Sequence, residues 1–298
     1  MIWTNWPSVQ VTARNRPSAR LLSLLFCLAL LAGCAGGPAI DRSYSARAQD
    51  SRVRYVILHY THGDSASALR ELTEGEVSSH YLISDQPPTI YQLVDENRRA
   101  WHAGHSAWKL DTQLNASSIG IELVNPGYSD TPEGRVFHPY APAQIGELIA
   151  LLKKIVARHG VAPDRILGHN EIAPLRKLDP GPLFPWHALA EAGLIAWPDA
   201  AAVAARRQAF EQQLPDILWF QAKLAQHGYT LSPTGLADEV TRSCLAAFQM
   251  KYRPARFDGE PDAETAAILD VLDPDQAPGI GAPVALPPTP LPHSDKSP

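Results

Sequence analysis

Hydrophobic and polar positions follow two rhythms along the first two thirds of the chain. Residues 52–60, RVRYVILHY, have a continuously apolar, β-branched centre, the pattern of a strand buried on both faces. Asp64 stands where it can cap a helix over residues 65–73. VSSHYLISD (77–85) and TIYQLVDE (89–96) read as a hairpin across Pro87-Pro88. In SIGIELVN (118–125), Ile119, Ile121 and Leu123 share one face of a strand, and Gly120, Glu122 and Val124 share the other. Residues 142–160 switch to the helical period. Ile145, Leu148, Ile149, Leu152, Ile155 and Val156 form a core-facing stripe between Pro142 and a closing Gly160. A short strand, RILGH (165–169), follows. This alternation predicts an α/β fold, a sheet flanked by helices, over residues 51–190.

Beyond Trp186 the pattern changes. Alanine-rich residues 191–210 predict a connecting helix, and residues 211–273 a small all-α, three-helix domain with Leu218, Leu224, Tyr229, Leu245, Phe248 and Leu269 as its core. A weak repeat supports that unit. Gly235…Asp238…Thr241 recurs as Gly259…Asp262…Thr265, each an aspartate cap three residues ahead of a threonine. Because the unit has its own caps and core, residues 50–190 are expected to work without it. The tail, 274–298, is rich in proline and predicts disorder.

The chain's start adds an address. Arg14, Arg16 and Arg20 precede an apolar run, 21–31, too short to span a bilayer as a helix. The run ends in Leu31-Ala32-Gly33-Cys34, which resembles a bacterial lipobox and makes residues 1–34 a lipoprotein signal with Cys34 as the lipidated residue. Several acyl chains on one residue would hold the chain at a membrane. Residues 35–50 are small and polar, a linker. With Cys27 discarded, Cys244 is a lone thiol and no intramolecular disulfide is expected. The net charge of -5 gives no basic excess, so a nucleic-acid partner is not expected.

Candidate chemistry gathers at the ends of three strands: His59, Glu122 and His169. Ligands of open α/β sheets collect outside the carboxyl ends of strands. The loop after His169, stiffened by Pro174, Pro180, Pro182 and Pro185, delivers Lys177 and Asp179. Two imidazoles and a carboxylate are the ligand set of a catalytic zinc, which leaves a fourth position for water and raises that water's acidity. Glu122, a lone acid in an apolar strand, suits the general base. Lys177 suits the oxyanion. Together these roles describe metal-assisted amide hydrolysis.

The segments HYT, SSHYLI, AWHAG, SIGIELVN and GHNEIAPLRKLDPGPLFPW closely resemble, in order, the zinc-dependent type 2 N-acetylmuramoyl-L-alanine amidases, relatives of the peptidoglycan recognition proteins. The resemblance implies their mixed central β-sheet, one zinc on His59, His169 and Asp179, Glu122 as proton acceptor and Lys177 at the transition state. It also implies a peptidoglycan or muropeptide substrate cut between N-acetylmuramic acid and L-alanine, and a peptidoglycan-binding character for residues 211–273. The bacterial envelope is implied as the location, lipid-anchored at the inner leaflet of the outer membrane and facing the periplasm. Tyr60, Thr61 and His102 are weaker candidates for substrate contact, and His102 with His105 is a weak candidate for a second metal. A non-catalytic peptidoglycan-binding lipoprotein on the same fold is the competing reading. The presence of Asp179, Glu122 and Lys177 together argues against it.

Overall fold

The apolar run at 52–60 becomes the middle of a sheet. A computed structural model of the protein describes residues 38 and 40–273; the expected signal over residues 1–34, with Cys27 and Cys34, and the tail 274–298 lie outside the described residues. The chain divides into two units, Met1–Gln49 and Asp50–Pro298. In the described part of the first, Asp41 accepts hydrogen bonds from the Ser43 amide and hydroxyl at 2.8 and 2.7 Å. Among the described residues no helix is long and apolar enough to cross a membrane.

In the second unit, β1 (Tyr55–Tyr60) leads to α1 (Ser65–Glu74), β2 (Tyr81–Ile83) and β3 (Ile90–Gln92). A short pair follows, β4 (Ala107–Trp108) and β5 (Asp111–Thr112), then β6 (Ser118–Leu123) and a hairpin of β7 (Tyr128–Thr131) and β8 (Gly134–Phe137). Helix α2 (Pro142–His159), β9 (Ile166–Gly168) and the single turn α3 (His169–Ile172) end the α/β part. Helices α4 (Trp186–Glu191), α5 (Ala200–Gln212), α6 (Ile217–His227), α7 (Glu239–Tyr252) and α8 (Ala263–Val271) complete the described chain.

The sheet is mixed, in the order β3-β2-β6-β1-β9. β1 runs parallel to both β6 and β9, and only β3 is antiparallel, as the predicted hairpin partner of β2. The expected local signals hold. Asp64 accepts from the Ala66 and Ser67 amides at the start of α1, and Gly160 closes α2 in the left-handed region at φ 67°, where a side chain would be strained. The predicted strand at 77–85 narrows to three residues. Ser79 and His80 before it are fully buried, but His80 spends its Nδ1 on the Gly120 amide (3.0 Å), as a hydrogen-bonded core histidine.

The two faces of β1 meet different partners. Val56 and Leu58, with Ile119, Ile121 and Leu123 of β6, pack against Leu148, Leu152 and Ile155 of α2. Tyr55 and Ile57, with Leu167, join Trp108 and Leu114 in one cluster with Phe220, Leu224, Cys244, Leu245 and Phe248 of the helical part. The helical part therefore covers the second face of the sheet, and its core is not separate. Sequence periodicity could not reveal this, because a strand buried on both faces reads the same whatever covers it.

Three further expectations change. The alanine-rich stretch is not one connecting helix: α4 stops at Glu191, Gly193 turns at φ 73°, and Asp199 caps a new helix by accepting from the Ala202 amide at 2.8 Å. That helix, α5, packs along α8 and pairs Arg206 with Asp270 (3.0 Å) and Arg207 with Glu264 (3.4 Å), so it is a fourth member of the bundle. Leu218 is 47% exposed, because the inward stripe of α6 is Phe220, Gln221 and Leu224. His227 is half-buried among the rings of Trp108, Tyr229, Phe248 and Tyr252. That burial, with Lys251 and Lys109 nearby, pushes its imidazole down to about 3.

The internal repeat is deeper in three dimensions than in sequence. Asp238 and Asp262 each accept from the threonine amide three residues on, at 2.8 Å in both copies. A buried glutamine braces each loop. Gln221 accepts from Gly235 and donates to Leu236 O and Thr241; Gln249 accepts from Gly259 and donates to Glu260 O and Thr265.

A chain ending at residue 190 uncovers Tyr55, Ile57, Trp108, Leu114 and Leu167. It is expected to aggregate or to bind a hydrophobic dye, and to lose cooperative unfolding. A monomeric fragment with a sharp thermal transition would show that the sheet's second face does not need the bundle.

Candidate metal centre

Parallel pairing brings the candidate ligands to one edge. In the β1–β6 register His59 lies opposite Glu122, and Leu58 opposite Gly168 sets His169 one residue beyond the end of β9. His59 and Glu122 thus leave the sheet on the same face at its carboxyl edge. Asp179 arrives from the proline-rich loop, where the Asn170 amide donates to its carbonyl at 2.9 Å. The Tyr140 hydroxyl holds the next carbonyl, Pro180 O, at 2.7 Å.

Three side-chain atoms converge. His59 Nδ1 lies 2.9 Å from His169 Nδ1 and 3.0 Å from Asp179 Oδ2, and His169 Nδ1 lies 3.0 Å from the same oxygen. All three residues are buried. Among the described residues this is the one group of His, Cys, Asp and Glu whose ligand atoms lie close enough to share an ion. A tetrahedral ion with bonds of about 2.0–2.1 Å separates its ligand atoms by roughly 3.3–3.4 Å. The triangle needs only small outward shifts to grip one.

Hydrogen bonding decides which nitrogen of the His59 imidazole is free. The Ser118 hydroxyl donates to Leu114 O at 2.6 Å, so it accepts from His102 Nε2 at 3.1 Å. His102 Nδ1 is then an acceptor and takes the proton of His59 Nε2 at 3.0 Å. His59 Nδ1 therefore faces the triangle as a lone pair. His169 Nε2 faces Ala103 O and the Arg176 guanidinium, each at 3.3 Å, one an acceptor and the other a donor. Burial, with the neighbouring His169, pushes His59 down to about 4, so the ring is neutral at pH 7. Two imidazole nitrogens and a carboxylate oxygen pointed at one spot make a donor set that suits zinc.

The other candidates fall around this triangle. Glu122 and Lys177 both line a cavity of about 390 Å³ that opens beside it, with Tyr60, Trp101 and Tyr128. Glu122 Oε2 is shielded and has no hydrogen-bond partner. Burial, and then the Asp179 charge, push its carboxyl well above the usual range, while Lys177 opposes the shift. Tyr60 stands on the cavity wall, and burial pushes its phenol up. Thr61 also borders the cavity, but its hydroxyl donates to Gly63 O at 3.0 Å and accepts from the Asn125 amide at 3.4 Å, a loop-bracing role.

His102 also lines the cavity, but as a brace for the candidate ligands. Both its ring nitrogens are spent on protein, and its imidazole fills the space over Gly120, where a Cβ would come within 2.4 Å of the ring. The exposed partner in AWHAG is Trp101, 52% accessible, with the Arg99 guanidinium 4.0 Å from its ring centre. With both ring nitrogens engaged, His102 has none left to share a second metal with His105, whose carbonyl accepts from Arg176 Nε at 3.1 Å. Arg176 also donates to Ala103 O and so ties the AWHAG loop to the Asp179 loop. Sequence reasoning passed over Arg176. Its only signal was its place beside Lys177 in PLRKLDP.

Residues 49–182 match the family described as N-acetylmuramoyl-L-alanine amidase, and residues 213–269 match a putative peptidoglycan binding domain. The chain is 42% identical over 268 residues to the N-acetylmuramoyl-L-alanine amidase AmiD of Escherichia coli, covering 85% of this chain and 97% of that protein. The 1,6-anhydro-N-acetylmuramyl-L-alanine amidase AmpD of Enterobacter cloacae is 31% identical over 180 residues, 60% of this chain and 84% of its own length. Among solved structures, the complex of E. coli AmiD with anhydro-N-acetylmuramic acid-L-Ala-D-gamma-Glu-L-Lys superposes with a TM-score of 0.71 at 42% identity, over 78% of this chain and 93% of that one. AmpDh3 of Pseudomonas aeruginosa gives 0.74 at 40% identity, over 80% and 98%.

Replacing His102 by alanine leaves His59 Nε2 without its acceptor and frees the ring to change tautomer. Metal affinity is expected to fall by about 10–100-fold, measured by competition with a chromogenic chelator. Unchanged affinity in the His102→Ala protein would remove the relay from the account of the site.

Proposed function

The chain belongs to the N-acetylmuramoyl-L-alanine amidase family and hydrolyses the amide between N-acetylmuramic acid and L-alanine in peptidoglycan turnover; we propose that it does so with one zinc held by His59, His169 and Asp179. The observation that carries the proposal is the buried triangle of two imidazole nitrogens and one carboxylate oxygen at 2.9–3.0 Å, open on one side to the cavity. Bound there, zinc supplies Lewis acidity and an acidified water at neutral pH.

The chain's own residues do the rest. Glu122, unpartnered and strand-mounted opposite His59, takes the proton from the attacking water and returns it to the leaving L-alanine nitrogen. Its raised proton affinity suits both halves of that task. Lys177 brings a positive charge to the same cavity and favours the oxygen that turns negative as the scissile carbonyl becomes tetrahedral. Tyr60 and Trp101 give the cavity walls that can hold a sugar ring or a stem peptide.

The Leu31-Ala32-Gly33-Cys34 sequence supports lipidation of Cys34 and anchorage in the envelope, on the inner leaflet of the outer membrane, with residues 35–50 as tether. The match of residues 213–269 supports peptidoglycan binding by the helical part.

Chelation is expected to abolish cleavage of soluble muropeptides, and added zinc to restore it. Glu122→Ala is expected to keep zinc and lose about 10²–10⁴-fold in kcat. Chelator-resistant cleavage, or near-normal turnover in Glu122→Ala, would remove the corresponding role. Cys34→Ser is expected to move the protein from the membrane to the soluble periplasmic fraction. Retention at the membrane would count against the lipid anchor.

A further inference from the structure

Helix α7 reaches into the α/β part and touches the metal-bearing turn at two consecutive residues. Lys251 Nζ lies 3.1 and 3.0 Å from the two oxygens of Glu171, two residues after His169. The same ammonium donates to Ile166 O of β9 at 3.2 Å and lies 4.3 Å from the centre of the Trp186 ring, where the Asp179 loop ends. Its neighbour Met250 accepts from Asn170 Nδ2 at 3.5 Å. Lys251 is 5% exposed and Glu171 1%.

A buried ion pair is weak evidence for stability, since well-packed apolar residues often hold two surfaces together as well or better. An apolar pair could not do what this one does. Glu171 Oε2 also accepts from the Gly168 amide at 2.7 Å, so the carboxylate clamps the last residue of β9 to the turn that begins with His169. Lys251 holds that carboxylate, the strand's carbonyl and the Trp186 ring at once. The Asn170 amide meanwhile donates to Asp179 O, so the turn fixed by Glu171 fixes the second ligand loop too. An apolar replacement would leave the Gly168 amide unsatisfied and the turn free to shift.

We propose that the helical part is a working component of the metal centre, with Lys251 a positioning residue that sets His169 and Asp179 through Glu171. The inference rests on zinc binding at that triangle. It adds to the helical part a role beyond wall binding, and makes the catalytic geometry depend on a residue about eighty positions away in sequence.

The test uses the full chain as Lys251→Met, Lys251→Arg and Gln221→Ala. The last weakens the loop brace of the bundle without touching residues 166–171. Zinc dissociation constants, kcat, KM and Tm are measured for each. Lys251→Met is expected to weaken zinc binding about tenfold and to lower kcat while KM stays within about twofold, the scale of a lost outer-shell contact. Lys251→Arg, which keeps the charge, is expected to recover most of that loss. Gln221→Ala is expected to lower Tm with zinc affinity unchanged. A Lys251→Met protein with wild-type zinc affinity and kcat, whatever its Tm, overturns the proposal. A wild-type chain that binds no zinc overturns the reading beneath it, and this inference with it. If Lys251→Met yields no folded protein, native-state hydrogen exchange on the wild type decides. The amides of residues 168–171 are expected to exchange in the same opening as those of α7; exchange in a separate opening refutes the coupling.

Discussion

Three ligand atoms must meet within about 3 Å although their residues span 120 positions of chain. Parallel pairing of β1 with β6 and β9 satisfies that constraint. A parallel register puts all three carboxyl ends at one edge, and the side-chain alternation puts His59 and Glu122 on one face of it. Each other feature of the site adjusts this placement. The proline-rich loop brings the carboxylate, the His102–Ser118–Leu114 relay fixes a tautomer, and Arg176 ties the two loops that flank the cavity.

That placement has an energetic cost which the fold meets locally. A carboxylate and two imidazoles are crowded around one spot in a dry interior. They are held by contacts away from the triangle: a relay behind His59, a carbonyl behind His169, a backbone bond at Asp179. These contacts preorganise the ligands. Glu122 is left with a shielded, unpartnered oxygen beside the same cavity. A buried acid with no partner is unfavourable in a purely structural protein, and useful in one that must accept a proton and then return it.

The helical part changes the account of what the catalytic domain is. The sheet's second face is apolar because it is an internal surface, covered by the bundle in a shared core that contains Trp108 and His227. The bundle's own order comes from a repeated device, a buried glutamine bracing an aspartate-capped loop. Its reach into the α/β part comes from Met250 and Lys251 at the end of α7.

The sequence alone determined whatever depends on local periodicity and residue chemistry. A β-branched apolar run buried on both faces, a helical stripe closed by a glycine, aspartate caps three residues before a threonine, and two histidines with an aspartate in ligand-like positions were legible because each is a short-range consequence of its own residues. The spacing of the alanine-rich helices, the exposure of Leu218 and the packing of His227 among aromatic rings were not, since alanine favours helix without saying where it packs and an apolar or aromatic-flanked position can face either way. Only tertiary structure could make His102, on the cavity wall, the acceptor behind His59, or pair Lys251 with Glu171. Those facts depend on which distant atoms share a low-dielectric interior, and no periodicity encodes a partner eighty residues away.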